Sequence, residues 1–244
     1  MDLQLVGQRA LVTGASSGLG RSCAAALANE GASVFICART PDRLAKAASE
    51  IGAKGFVVAD LASGEDIDRT IDATIEALGG LDILVTNVPD PKAGSFSEMS
   101  DDDWFRSHEA TLMTVVRLVR AAVPHLIHSR RAAILNITSS AARELRSGRL
   151  FSAAYRSGVV AVAKHLSVEL APHGVTVNNI APGDILTPAW DHPSAVRNAD
   201  LIPLKRLGDP AEVGALCAFL CSNSARYITG QTIVIDGGLS RLIS

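Results

Sequence analysis

At 244 residues, 48% of them hydrophobic and 20% charged, the chain suits one α/β domain with a large core and leaves little room for a second. A formal net charge of -2 offers no basic surface for nucleic acid or an anionic membrane, and no apolar run reaches the ~18 residues of a membrane span. Met1–Leu5 lacks the basic and apolar regions of a signal peptide. Cys23, Cys37, Cys217 and Cys221 all lie in apolar segments and read as small core residues, so a reduced, cytoplasmic setting is expected. Cys217 and Cys221 stand one helical turn apart, but no His or acidic residue beside them completes a metal site.

Apolar strand-like runs alternate with helical ones along the chain. Ala10–Thr13 is the first strand and Gly18–Glu30 the first helix. Val34–Ala38 is the second strand, followed by a helix through Leu44 and Ala48. Gly55–Ala59 is the third strand, and Glu65–Leu78 a helix with apolar residues at Ile67, Ile71 and Ile75. Asp82–Thr86 is the fourth strand, and one long helix is expected from about Asp102 to Ile127. Ala132–Thr138 is the fifth strand, followed by a helix from about Phe151 to Ala171. Val175–Ile180 is the sixth strand, Pro210–Leu220 a helix and Thr232–Ile235 the last strand. Such alternation with short turns predicts a Rossmann-type α/β fold: one domain, a doubly wound parallel sheet of about seven strands, and helices on both faces. The irregular stretch from Pro182 to Leu207 reads as a substrate loop, its insertion at about 187–207. The helix from Phe151 is apolar over most of its surface, which suggests contact with a second subunit. A homo-oligomer, dimer or tetramer, is expected through the helices at 102–127 and 151–171.

Thr13-Gly14-Ala15-Ser16-Ser17-Gly18-Leu19-Gly20 sits between the first strand and the first helix. Glycine there permits a tight turn and close backbone approach to a ligand. The helix that follows presents unpaired N–H groups and a positive dipole end, a natural seat for phosphate.

The chain resembles the short-chain dehydrogenase/reductase family over essentially its full length. The resemblance rests on Thr13-Gly14-x-x-x-Gly18-x-Gly20, on Asp60-Leu61 after the third strand and on Asn87 after the fourth. It rests also on Asn136 before Ser139, Val177-Asn178, Pro182-Gly183-x-x-x-Thr187, and the ending Thr229-Gly230-Gln231 to Asp236-Gly237-Gly238. In pattern it is most similar to the 3-oxoacyl-acyl-carrier-protein reductases. The resemblance implies a dinucleotide over Gly14, Ser16, Ser17, Gly18, Leu19 and Gly20, and adenine between Asp60 and Leu61. It implies a ribose near Asn87, and the nicotinamide end held by Pro182, Gly183, Ile185 and Thr187. Members that prefer NAD usually carry Asp at the end of the second strand. Here Ala38 takes that place and Arg39 follows, a guanidinium suited to the 2′-phosphate of NADP(H). The family's Asn-Asn-Ala-Gly reads Thr86-Asn87-Val88-Pro89 here, so proline replaces glycine in the floor of the site.

The family's catalytic Tyr, with Lys four residues later on the same helix face, is absent. The Gly158-Val159-Val160 pattern sets a register in which Ser152 occupies the Tyr position and Arg156 the Lys position. A rival register makes Tyr155 the catalytic Tyr and puts Val159 at the Lys position. The helix Asn falls on Thr111, and Ser139 alone of the four is kept, with Ser140 beside it a weaker substitute. In the first register, Tyr155 lies one turn beyond Ser152 and could supply a phenol near Arg156. His192 could act as a substitute acid, but a surface histidine is the plainer reading. His125 and His128 read as solvated residues near a helix end. Arg143, Arg146 and Arg149 lie in the loop before the helix, where they either receive an anionic substrate or form a solvated basic loop.

Three functions follow from these residues. One is an NADP(H)-dependent oxidoreductase of a small carbonyl or alcohol substrate, such as a 3-oxoacyl thioester, in which Ser139 polarises the carbonyl, Arg156 clamps the ribose and Tyr155 or a water gives the proton. The others are a dinucleotide-binding protein without redox activity, and a dehydratase or isomerase on the same fold. The choice of Ala38-Arg39 predicts that the purified protein binds NADPH roughly tenfold or more tighter than NADH in parallel fluorescence titrations. Tighter NADH binding would overturn the assignment.

Overall fold

The computed structural model describes residues 2–188 and 198–241. Seven strands, β1 (Arg9–Thr13), β2 (Ser33–Ala38), β3 (Gly55–Val58), β4 (Ile83–Asn87), β5 (Ala133–Ile137), β6 (Thr176–Pro182) and β7 (Thr232–Ile235), form a single sheet. Their order is β3-β2-β1-β4-β5-β6-β7, and every neighbouring pair is parallel. The strand order reverses between β1 and β4, so their carboxyl ends splay apart and leave a crevice there.

Helices cover both faces, which is why the central strands are apolar along their whole length. Leu27 of α1 (Gly18–Asn29), Leu44 of α2 (Pro41–Ile51) and Val213 of α7 (Pro210–Leu220) pack with Val12 and Ile36 on one face. Ile71 of α3 (Gly64–Leu78), Val119 of α5 (Thr114–Leu126) and Val159 of α6 (Leu150–Glu169) pack with Leu11 and Leu84 on the other. All four cysteines are buried and unpaired, and burial pushes the Cys37 thiol up to about 12.

The long helix expected from Asp102 to Ile127 departs from that reading. It is α4 (Asp101–His108), a π-helical segment at Glu109–Met113, and α5. The Thr114 hydroxyl donates to the carbonyls of Glu109 and Leu61, both at 3.0 Å, so the wider turn is tied to the loop after β3. A π-turn of this kind is invisible to a 3.6-residue pattern and is common at functional sites. The π segment also approaches α6 closely: a Cβ on Gly158 would stand 3.2 Å from Leu112.

A chain of side-chain hydrogen bonds crosses the carboxyl half of the sheet. Thr86 donates to Asn136 at 2.7 Å, Asn136 to Asn179 at 2.9 Å and Asn179 to Thr232 at 3.1 Å. These buried amides fasten β4 through β7 together beneath the site, and each has its partner.

At the opposite end of the strands, Arg9 clamps Asp82. Its Nε and Nη2 donate to the two carboxylate oxygens, both at 2.8 Å, and Ser129 donates at 2.6 Å. Burial pushes the Asp82 carboxyl up, but the hydrogen bonds from Arg9 and Ser129 outweigh it and hold the group below its ordinary value. A carboxylate depressed in the folded state stabilises the protein above the ordinary Asp range, near 4, and that stabilisation is lost as the pH falls through the folded value. Asp82→Asn is therefore expected to cost about 1–3 kcal/mol at neutral pH and to flatten the acid limb of stability measured by urea denaturation. An unchanged acid limb would overturn this.

Candidate functional site

The crevice begins at the glycine turn. Gly14 (φ +59°) and Gly18 (φ +57°) adopt left-handed backbone conformations. A Cβ on Gly14 would stand 2.6 Å from the Asn87 carbonyl oxygen, and one on Gly20 would strike the Gly14 carbonyl. Only glycine fits either position. Asn87, expected beside a ribose, fastens this turn: its Nδ2 donates to the Gly14 carbonyl at 3.2 Å and its backbone N–H to the Thr13 hydroxyl at 2.8 Å. Ser17 precedes α1 in an extended conformation (φ -165°) and makes no side-chain cap. The first N–H groups of α1 are thus left to a ligand.

Two of the cavities at that helix end also border the carboxyl ends of strands. The larger, about 480 Å³, is lined by Gly14, Ser16, Ser17, Arg39, Asp60, Leu61 and Asn87 of the expected residues. Arg39 is exposed at its rim, and Ala38 presents no carboxylate. Arg43, one turn into α2, joins the same lining and was not anticipated. Its only signal in the sequence is a second basic residue four positions after Arg39. The neighbouring cavity, about 330 Å³, is lined by Ser17, Gly18, Leu19, Asn87, Thr187 and Arg156, with Asp90. These linings fit a dinucleotide phosphate: an uncapped helix end, small hydroxyls and two guanidiniums. Gly20 lines neither cavity and serves the packing of the turn.

A smaller space of about 100 Å³ continues past Leu19. Ser139, Pro182, Gly183, Ile185 and Thr187 line it, together with Asp90, Arg146, Arg149 and Asp184. The Ser139 hydroxyl accepts the Ala141 N–H at 3.2 Å. Its lining role leaves it facing whatever occupies that space.

Arg156 is the most constrained residue of the site, only 3% exposed. Its Nη1 donates to the carbonyls of Ile137 (2.9 Å) and Thr138 (3.0 Å), at the end of β5. Its Nη2 donates to the Val88 carbonyl at 3.4 Å and to the Asp90 carboxylate at 2.8 Å. Its Nε is buried and has no partner among the described residues. Burial pushes the guanidinium below its ordinary value, while Asp90 acts in the opposite sense. Asp90 follows Pro89, whose fixed φ shapes the turn that presents it. Nothing in the sequence singled out Asp90, because its meaning depends on a buried arginine 66 positions away.

The other expected catalytic residues divide. Ser152 is 3% exposed and its hydroxyl has no hydrogen-bond partner among the described residues, but it does not line these cavities. Tyr155 is not brought to the site. Its hydroxyl donates to the Trp104 carbonyl at 2.9 Å, and its ring packs against Trp104, Phe151 and His108. The helix explains this: one residue is a 100° step, so Arg156 facing the sheet turns Tyr155 toward α4. Burial raises its phenol. Thr111 lies in the π segment, fully buried, its hydroxyl without a partner among the described residues, and the same holds of the buried Ser140 hydroxyl.

Arg146 forms a bidentate pair with buried Asp184, both bonds at 2.8 Å, and Asp184 raises its guanidinium further. Arg143 is exposed. His125 and His128 lie at the end of α5, away from the cavities, and His192 lies outside the described residues. Among the described residues, no group of three or more His, Cys, Asp or Glu could hold a metal ion.

A family model described as Enoyl-(Acyl carrier protein) reductase matches residues 14–240. The 3-oxoacyl-(acyl-carrier-protein) reductase of Staphylococcus epidermidis is 35% identical over 238 residues, covering 94% of this chain and 98% of its own length. An L-sorbose reductase of Gluconobacter frateurii, complexed with NADPH and L-sorbose, superimposes with a TM-score of 0.95 at 31% identity and covers 100% of both chains. An NADPH-bound short chain oxidoreductase of Pseudomonas aeruginosa PAO1, described as containing an atypical catalytic center, superimposes with a TM-score of 0.92 at 31% identity and covers 98% of this chain and 99% of its own.

The contact between Arg156 and Asp90 is open to a double-mutant cycle. Asp90→Asn leaves a buried cation short of its counter-charge and is expected to cost about 1–2 kcal/mol in urea denaturation, the exposed carboxylate, screened by water, keeping it well below the cost of a fully buried pair. D90N and R156M together are expected to cost less than the sum of the single losses. Strict additivity would show that the pair is not coupled.

Proposed function

The chain belongs to the short-chain dehydrogenase/reductase family, and on that premise we propose that it is an NADP(H)-dependent oxidoreductase that interconverts a carbonyl and an alcohol through a non-standard catalytic site. The observation that carries the reading is the buried Arg156 guanidinium, fixed by three carbonyls and Asp90 where the cofactor cavity meets the space at Ser139. The NADPH complexes of two similar proteins, one with an atypical catalytic center, support it.

In this reading the N-terminus of α1, with Ser16 and Ser17, takes the pyrophosphate. Arg39 and Arg43 take the 2′-phosphate, for which a planar guanidinium is the matched donor. Asp60 and Leu61 flank the adenine, and Pro182, Gly183, Ile185 and Thr187 hold the nicotinamide end. Bound NADPH supplies a hydride. Arg156 holds the nicotinamide ribose in place of the family's Lys. Ser139 donates a hydrogen bond to the substrate carbonyl oxygen, where negative charge grows as the bond reduces. Arg156 keeps its protons and does not relay them. The Tyr155 hydroxyl is committed to Trp104, so water delivers the proton to the new alcohol oxygen.

The second reading is dinucleotide binding without turnover. It draws on one observation: the two cavities that meet at Asp90 are lined by no described His, Cys, Tyr or Lys that could act as an acid near neutral pH. We also read the chain as a cytoplasmic homo-oligomer. Its unpaired cysteines suit a reducing compartment. Phe105 and Val168 stand 71% and 72% exposed on α4 and α6, an apolar surface for a second copy. Sedimentation as a monomer would overturn the assembly.

Mixing the protein with NADPH and a panel of carbonyl compounds tests the catalytic reading. NADPH consumption is expected, with Ser139→Ala lowering kcat by about 10²–10³-fold while NADPH affinity is kept. Tight NADPH binding without consumption would leave the second reading. Conversion of a hydroxylated or unsaturated substrate with no cofactor consumed would point to a dehydratase or isomerase.

A further inference from the structure

A guanidinium carries five N–H groups and no acceptor. In Arg156 four of the five are spent on the protein. Nη1 gives one to the Ile137 carbonyl and one to that of Thr138. Nη2 gives one to the Val88 carbonyl, at 3.4 Å, and one to Asp90. The fifth, on Nε, is buried. Arg156 lines the cavity where the nicotinamide ribose belongs in the reading above, yet it has no accessible N–H left to give a ribose hydroxyl.

The group beside it has the opposite capacity. Asp90 is the one carboxylate among the described residues that line this cavity. Its Oδ1 accepts from Arg156 at 2.8 Å. Its Oδ2 stands 3.7 Å from Arg149 Nη1, an ion pair beyond hydrogen-bond reach. Among the described residues Oδ2 accepts no hydrogen bond, and the side chain is 65% exposed. Arg156 on one oxygen and Pro89 before it in the chain fix where the second oxygen stands. A ribose presents two neighbouring hydroxyls, and both can donate. An acidic side chain answers such a hydroxyl on the adenosine side of many dinucleotide folds; here the carboxylate stands at the other end of the crevice.

We propose that Asp90 binds the nicotinamide ribose by accepting its hydroxyls, and that Arg156 is a positioning residue whose hold on the ribose passes through Asp90. The inference rests on the cofactor placement above and deepens it. The direction of the hydrogen bond is reversed: a carboxylate accepts from the ribose where an ammonium would donate to it.

The experiment is a calorimetric titration with NADPH and with adenosine 2′,5′-bisphosphate, which carries the adenosine half and its 2′-phosphate but no nicotinamide ribose. Asp90→Asn is expected to weaken NADPH roughly tenfold, the worth of one hydrogen bond to a charged group, and to leave the bisphosphate unchanged. Arg156→Met is expected to weaken NADPH by less, because Asp90 keeps its carboxylate. The double variant removes both charges together and so leaves no buried cation unanswered, which keeps the test open if D90N alone does not fold. Its NADPH loss is expected to equal that of D90N, since Arg156 acts through Asp90. NADPH binding unaffected by D90N would overturn the inference. So would additive losses in the double variant, or a loss larger in R156M than in D90N, which would return the ribose contact to Arg156. A loss shared equally by both ligands would also overturn it and reduce Asp90 to a support of the fold. Failure of the unchanged protein to bind NADPH would overturn the cofactor reading and this inference with it. NADPH bound without reduction of any carbonyl would overturn the redox reading alone, and the split between the two ligands would still decide the role of Asp90.

Discussion

A guanidinium removed from water organises the carboxyl end of this sheet. A buried cation is tolerated only with its donors satisfied and its charge answered. Arg156 meets most of that condition, its Nε alone lacking a partner among the described residues, by drawing together three separate segments: the end of β5 through Ile137 and Thr138, the turn after β4 through Val88 and Asp90, and α6 that carries it. In the proposed function, those are the segments between which cofactor and substrate meet. A flexible ammonium could make fewer of these contacts at once, because the planar fork of arginine reaches several carbonyls in fixed directions.

The same constraint explains the turn sequence Val88-Pro89-Asp90. Proline in the floor of the site removes an N–H that a nucleotide could otherwise use, and in exchange holds the chain so that the next residue faces the arginine. Asp90 then serves two cavities, lining both the space at Arg156 and the space at Ser139. In the proposed function, such a site works through orientation and hydrogen bonding more than through a titrating acid.

Much of the fold was legible in the residues. Strands buried on both faces are continuously apolar, and glycine or proline marks where they end, so the seven strands and the order of elements follow from periodicity. The glycine turn before α1 was equally plain, because Gly14 and Gly20 stand where any side chain would strike backbone or Asn87. The π segment at Glu109–Met113 was not legible, since a single wide turn leaves the amphipathic pattern of α4 and α5 intact. Arg43 and Asp184 were missed for a related reason: each acquires its role from a partner or a cavity that no local pattern encodes.

The sequence by itself determined the parallel sheet and the glycine turn before α1; it holds no Tyr-x-x-x-Lys, and leaves two registers, one with Ser152 at the Tyr position and one with Tyr155 there. Only the tertiary structure decided where those side chains point. A 100° step along α6 sends Arg156 into the sheet and Tyr155 out to Trp104. Folding alone brings Asp90 within 2.8 Å of Arg156 and closes Arg146 on Asp184. Spacing along a chain tells which residues share a helix face; which charges cancel is settled only when distant segments meet.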